Sequence, residues 1–274
     1  MSENVNLFDV SACETQWVDD VIAAADAAKT AETNVQPVLA LLYNNAGAHN
    51  SIYRGKSLGN TVTDAQWAAI KAGTFDDLYI GDYWTINSVN WRIAAFNYYR
   101  YCGDTKCADY HVVIVPDTQL GRVQMNATSV TTGGYIGSEL YKSGLDSAKT
   151  AINAAFSGHV LSHRVYLTNA VANGRASGGV WCDSEVDLMY EQMVYGSSIY
   201  SPVSNGSNIP TNNRAEKSQL PLFQHEPRRI NNRETWWLRD VITASHFASV
   251  YANGNAAYDK ASNTYGVRPS FCIY

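Results

Sequence analysis

Two aromatic, apolar blocks near the C-terminus constrain this chain more than any other feature: Trp236-Trp237-Leu238-Arg239-Asp240 and Gly266-Val267-Arg268-Pro269-Ser270-Phe271-Cys272. The residues between them are almost wholly Ser, Ala, Asn, Gly and Tyr. The blocks read as a rigid frame and the stretch they bracket as a surface. Within it, Ser245, His246, Ser249, Tyr251, Asn253, Asn255, Tyr258, Asp259, Asn263 and Tyr265 are the candidate ligand-binding residues. Tyrosine gives contact area at low entropic cost, while Ser, Asn and Gly give adaptable hydrogen bonds, the chemistry of an antibody paratope. An ordinary polar hairpin uses the same residues, because they also form turns. Composition leaves both readings open.

Trp236, Trp237, Arg239 and Arg268 are the candidate framework. A solvated arginine is out of place inside an aromatic block, and a buried guanidinium needs a carboxylate or several carbonyls around it. Asp240 and Glu185 are the expected partners. Both arginines are read as holding two strands in register rather than contacting ligand.

With 274 residues, 46% of them hydrophobic, the chain can bury a substantial core. A net charge of −5 argues against non-specific binding to nucleic acid or to an anionic membrane, which needs basic patches. No run of about 18 apolar residues is present, so no membrane span is expected. The stretch from Met1 to Asn6 lacks the basic and apolar segments of a signal peptide, and synthesis in the cytoplasm is expected. The five cysteines (13, 102, 107, 182, 272) are scattered. Cys102 and Cys107 form the close pair, and without a secretion signal reduced thiols are expected there.

Residues 1–60 form a distinct helical N-terminal segment. Between Glu14 and Ala28, Trp17, Val21 and Ala24/Ala25 share one helical stripe, a packing face for another subunit or a larger assembly as readily as for its own domain. From 61 to 274 the pattern predicts one compact α+β domain. Thr63-Asp64-Ala65-Gln66 fits a capping box, and Gly73 fits a helix stop. Leu78 to Trp84 and Trp91 to Phe96, with a turn at Asn87-Ser88, predict a hairpin. The apolar run from His111 to Pro116 predicts a strand buried on both faces. Leu145, Ala148, Ile152 and Phe156 predict a helix ended by Gly158. A strand is expected from His159 to Leu167, a short helix from Glu185 to Tyr195, and a loop over 197–213.

Catalytic signatures are thin. There is no Gly-rich phosphate loop, no His-Glu-x-x-His helix and no Gly-x-Ser-x-Gly elbow. His159 and His163 would share a face only in a helix, and the flanking Val and Leu favour a strand; both are read, like His111, as structural. Asp19-Asp20 and Asp76-Asp77 are adjacent carboxylates that point apart in a strand or stay solvated on a helix. Nothing places Cys182 or Cys272 beside a base. No metal site, no cofactor and no enzymatic activity are expected, and no acidic cluster has calcium-loop spacing.

Trp236-Trp237-Leu238-Arg239, the polar stretch, and Gly266-Val267-Arg268-Pro269-Ser270-Phe271 together resemble a domain frequent in proteins of Gram-positive bacteria and their phages. They also resemble the C-type-lectin-like fold of the formylglycine-generating-enzyme branch, which commonly ends in a Gly-Phe/Val-Arg-Pro motif. The resemblance spans roughly residues 75–274. It implies an α+β, C-type-lectin-like fold with short antiparallel strands and two or more helices, behind the helical N-terminal segment. The enzyme branch uses closely spaced cysteines near its C-terminus, whereas here no second cysteine lies between Cys182 and Cys272. The chain is more similar to the variable proteins of diversity-generating retroelements. In those systems randomised adenines turn Asn codons into Tyr, Ser, Asp, His, Ala, Gly, Thr or Phe. The residues from Ser245 to Tyr265 fit that repertoire, with Lys260 and the repeated Ala residues departing from it.

That resemblance implies a phage structural protein, either receptor-binding or virion-decorating, released by lysis as part of the virion. Its diversified region, about 236–270, would bind a bacterial surface ligand, protein or glycan. The N-terminal segment would contact other virion proteins and build a homo-oligomer such as a trimer, raising avidity over weak single sites. A non-diversified bacterial surface-binding module of the same fold is the second reading, and an enzyme of the formylglycine-generating type the third. Replacing Tyr251, Tyr258 and Tyr265 together by Ala is expected to abolish binding with little change in melting temperature. Replacing Arg239 or Trp237 is expected to do the reverse.

Overall fold

The computed structural model describes residues 10–43, 45–172, 175–201 and 218–274. The chain divides into two compact units, Met1–Asn44 and Asn45–Tyr274. The first holds one long helix, α1 (Val10–Tyr43). Its described side chains, residues 17–35, are all exposed, Trp17, Val21 and Val35 among them.

Residues 45–60, expected with the N-terminal segment, belong instead to the second unit. After α2 (Ala46–Asn50), the Asn50 amide bonds both the N–H and the carbonyl of Phe96, at 2.8 and 3.0 Å. Arg54 grips the buried Asp82 carboxylate, which also accepts the N–H of Lys56 and of Tyr79. These ties are made by polar side chains to distant backbone and carboxylate groups, and they leave no periodicity for a sequence reading to find.

α3 (Asp64–Ala72) carries the expected capping box. Gln66 N–H donates to Thr63 Oγ1, Thr63 N–H donates to Gln66 Oε1, and Gly73 closes the helix in the left-handed region. The same Gln66 Oε1 accepts from the indole of buried Trp84 at 3.0 Å, fixing the helix to the first sheet. That sheet runs β1 (Tyr83–Ile86), β2 (Val89–Phe96), β3 (Val112–Pro116), β12 (Pro269–Ile273), β7 (Val186–Leu188), antiparallel throughout. Asn87 and Ser88 both have positive φ, 51° and 65°, as a two-residue turn matched to strand twist requires. β3 is fully buried, as its continuous apolar run predicts.

The second sheet runs β10 (Ala256–Lys260), β9 (His246–Val250), β8 (Trp236–Val241), β11 (Thr264–Gly266), β4 (Arg122–Gln124). Its pairs are antiparallel except β8 with β11. β5 (His163–Ala172) and β6 (Arg175–Ser184) form a separate hairpin. Short helices α4 (Gly134–Gly137), α6 (Glu191–Tyr195) and α7 (Pro221–His225) complete the unit with α5 (Asp146–Phe156). Along α5, Ala148, Ile152 and Phe156 are buried, and Phe156 meets Trp91 and Phe271 at ring distances of 5.5 and 5.4 Å. The unit is thus α+β on antiparallel sheets.

Three local expectations fail. The first hairpin strand, expected from Leu78 to Trp84, runs instead from Tyr83 to Ile86. Glu185 to Tyr195 is not one helix: Val186, Asp187 and Leu188 are all buried and pair with Pro269 to Phe271, and only Glu191–Tyr195 is helical. Pairing with a buried strand outweighs the helical tendency of so short a run. The strand expected from His159 starts at His163, and His159 stacks on Trp67 at 3.8 Å instead. The loop expected over 197–213 lies outside the described residues from 202 onward.

Candidate functional site

The two C-terminal blocks have distinct jobs. The first is β8. The second carries the chain from β11 in one sheet to β12 in the other, with Arg268 at the crossing. A Cβ at Gly266 would overlap the amide end of the Gln119 side chain, which would have to move off its 3.1 Å bond to the Thr235 carbonyl. Trp236 and Trp237 are fully buried and, as strand neighbours, face opposite ways: Trp236 opposite Val250, Trp237 opposite Ser249. The Trp237 indole donates to the Val123 carbonyl at 3.0 Å.

The arginines are buried as expected, and the surroundings of Arg268 differ from those anticipated. Arg268 Nε donates to the Pro116 carbonyl at 2.9 Å and Nη1 to that of Ile230 at 3.3 Å, and the guanidinium lies over Trp236 at 5.1 Å. Burial lowers its pKa to about 10, against the pull of Asp117. Carbonyls and rings, not Asp240 or Glu185, surround it. Arg239 lies over the Tyr190 ring at 4.4 Å, in a bulge of β8 that bonds its N–H to Met189, and its charge acts on buried Asp187. The Asp240 carboxylate accepts the Glu191 N–H at 2.7 Å.

The ten candidate ligand residues cluster around the β9–β10 hairpin, on two faces and a turn. Ser249 pairs with Ala257 and Ala248 with Tyr258, and side chains alternate along each strand. Ser249, Asp259 and Tyr265 therefore share the Trp237 face. The Asp259 carboxylate accepts from Ser249 Oγ (2.7 Å), the Tyr265 hydroxyl (3.0 Å) and Asn263 Nδ2 (3.4 Å). Burial and the neighbouring carboxylate raise the Tyr265 pKa, which keeps its hydroxyl a donor. His246 and Tyr258 occupy the opposite face with ring centroids 5.6 Å apart, and the Ser245 and Thr243 hydroxyls lie 2.9 Å from His246 Nδ1. Tyr251, Asn253 and Asn255 make the turn, closed by Tyr251 N–H on the Asn255 carbonyl and Asn255 N–H on Asn253 Oδ1. Tyr195 steadies it through a 3.0 Å bond from its hydroxyl to the Gly254 carbonyl.

Exposure sorts these residues. Tyr251 is 55% and Tyr258 46% exposed, whereas Ser249 is fully buried. Tyr200, 44% exposed, adds a ring 5.0 Å from Tyr258 and was not singled out by the sequence. Its position depends on Glu191, a buried carboxylate that accepts the N–H groups of Ile199, Tyr200 and Ser201 at 2.8–3.1 Å and the Ser201 hydroxyl at 2.6 Å. No sequence signal marks Glu191, because a carboxylate that collects local backbone donors leaves no spacing motif.

Among the described residues no three His, Cys, Asp or Glu side chains gather as metal ligands. Cys102, Cys107 and Cys272 are buried free thiols, and burial raises the pKa of Cys107 and Cys272. No described helix is long and apolar enough to cross a membrane.

Residues 168–274 match the family model of a domain of unknown function, DUF6273. The matched region includes β8 to β12 and hence both framework blocks and the whole hairpin. No curated protein and no solved structure matches the chain.

Proposed function

We propose that this chain is a ligand-binding structural protein of a phage virion, receptor-binding or decorating, whose C-terminal, C-type-lectin-like surface engages a bacterial surface ligand. The observation that carries this reading is the hairpin itself. Exposed Tyr251 and Tyr258 stand on a sheet already ordered by Trp237 and the Asp259 cluster on one face and by buried Trp236 on the other. A preorganised aromatic surface loses little conformational freedom on binding, so its contact area is not offset by ordering. The lectin-like assignment is supported by the way the second terminal block carries the chain from one mainly antiparallel sheet into the other.

In the same reading α1 is the oligomerisation and attachment element. Trp17, Val21, Ala24, Ala28, Ala31 and Val35 recur at alternating steps of four and three, the spacing of a coiled-coil seam. A seam of this kind is satisfied by further copies of the same helix, and several copies raise avidity.

The test is binding of fluorescently labelled full-length protein to whole Gram-positive cells and to a glycan panel. The reading expects saturable binding that is lost in the Tyr251→Ala, Tyr258→Ala double variant, with a melting temperature within about 3 °C of the parent. Equal binding by both proteins, or binding by neither, sinks it.

A further inference from the structure

A cavity of about 350 Å³ opens beside the hairpin, lined by Arg228, Arg229 and Arg268 with Asn231 and Asn232, against the carboxylates of Asp117 and Glu226. Both carboxylates are already engaged. Asp117 takes two bonds from buried Arg92, and Arg229 Nη1 lies 3.8 Å from it. Glu226 accepts the Arg228 N–H at 3.3 Å. Counting Arg92, four guanidiniums thus meet two carboxylates, in a chain whose net charge is −5. Arg92 and Arg229 also push down the already lowered pKa of Arg268, a sign of cations crowded together. Guanidinium forks match the paired oxygens of carboxylate and phosphate groups, and asparagine amides add neutral donors.

We propose that this cavity is an oxyanion-binding site for the carboxylate or phosphate group of an acidic ligand. Exposed Arg228 and half-buried Arg229 make the contact, and Arg268 is the fixed charge at the back. The site lies outside residues 245–265 and does not depend on their role. Its rim nevertheless touches the turn, since Asn231 Cβ is 3.2 Å from the point where a Cβ on Gly254 would stand.

Calorimetric titration of the full-length protein with inorganic phosphate, glycerol 3-phosphate and glucuronate tests it. At least one should bind at a single site, about tenfold more weakly in Arg228→Gln and more weakly in high salt. Arg229 also bonds Tyr53, so Arg229→Gln is interpreted only with an unchanged melting curve. Glu226→Gln removes an opposing charge and should tighten binding several-fold, a gain that misfolding cannot produce. Preference for the phosphates over glucuronate identifies a phosphorylated ligand, and the reverse a sugar acid. No binding of any probe, or affinities unchanged in Arg228→Gln and Glu226→Gln, overturns the proposal.

Discussion

The ring of Tyr265 lies over the buried indole of Trp237, centroids 4.8 Å apart, while its hydroxyl donates to Asp259 at 3.0 Å. This tyrosine is therefore part of the frame as much as of the surface, unlike Tyr251 and Tyr258, and the triple replacement expected to spare the melting temperature should lower it. Tyr265→Ala should cost about 2–3 kcal/mol from lost packing and a lost charge-assisted hydrogen bond. Tyr251→Ala and Tyr258→Ala should each cost about 1 kcal/mol or less. Urea unfolding of the three variants decides it. Equal losses at all three positions would show that Tyr265 is not anchored as described.

Glu191 controls the seat of Tyr200. Glu191→Gln replaces one acceptor oxygen by a donor that faces backbone N–H groups, so a loss of about 2–3 kcal/mol is expected. The exposed ring of Tyr200 should loosen from Tyr258 as well. Denaturant melts combined with amide exchange at Ile199, Tyr200 and Ser201 check both parts, and unchanged protection at those three amides would refute the role.

Local signals in the sequence were legible wherever one segment determines its own geometry. The capping box of Thr63 and Gln66, the Asn87-Ser88 turn and the stripe from Leu145 to Phe156 all depend on neighbours within a few residues. The burial of Arg239 and Arg268 was legible too, because their flanking residues are apolar. What the sequence hid were relations between distant segments. Carbonyls of Pro116 and Ile230 surround Arg268, β12 recruits Val186 to Leu188 into a strand, and strand alternation splits the ten candidate residues between two faces. A list of polar residues between two blocks carries no information about which way each one points until the strands are paired.

Burial lowers the pKa of His111 to about 4 and that of His163 to about 3, and a charge on His111 would lower that of His163 further. Both are neutral in the fold, while in the unfolded chain they titrate near 6.5. Stability should thus be intact above that pH and fall as pH drops from 6.5 toward 4, by on the order of 2 kcal/mol per histidine at pH 5. His163→Phe should flatten the profile. Melting temperatures at pH 7, 6 and 5 measure it, and an unchanged slope in the variant would exclude His163 as a cause.

The apolar stripe of α1 leads to a prediction about assembly. Val21 and Val35 are 49% exposed each, on a helix whose described side chains are all exposed. Val21→Asp and Val35→Asp place charges in the seam and should convert an oligomer to monomer at micromolar concentration without shifting the unfolding of Asn45–Tyr274. Light scattering with the parent chain as reference reads this directly. A parent that is already monomeric would remove α1 as the assembly element.

Diversification, if it operates on this chain, must respect the hydrogen bonds beneath the surface. Ser249 is fully buried and bonded to Asp259, so substituting Asp259 alone strands a buried hydroxyl at a cost of about 1–3 kcal/mol, and substituting Ser249 alone removes one of the three donors to the carboxylate. Tyr251, Asn253, Asn255 and Tyr258 are exposed and carry no such penalty. Deep sequencing of the 3′ end of the gene in a propagating population should therefore find adenine-position changes concentrated at those four codons. Ser249 and Asp259 should change rarely or together, and Trp237, Arg239 and Arg268 not at all. A uniform sequence would reduce the protein to a fixed binding module, and changes spread evenly over buried and exposed codons would contradict the division of labour between frame and surface.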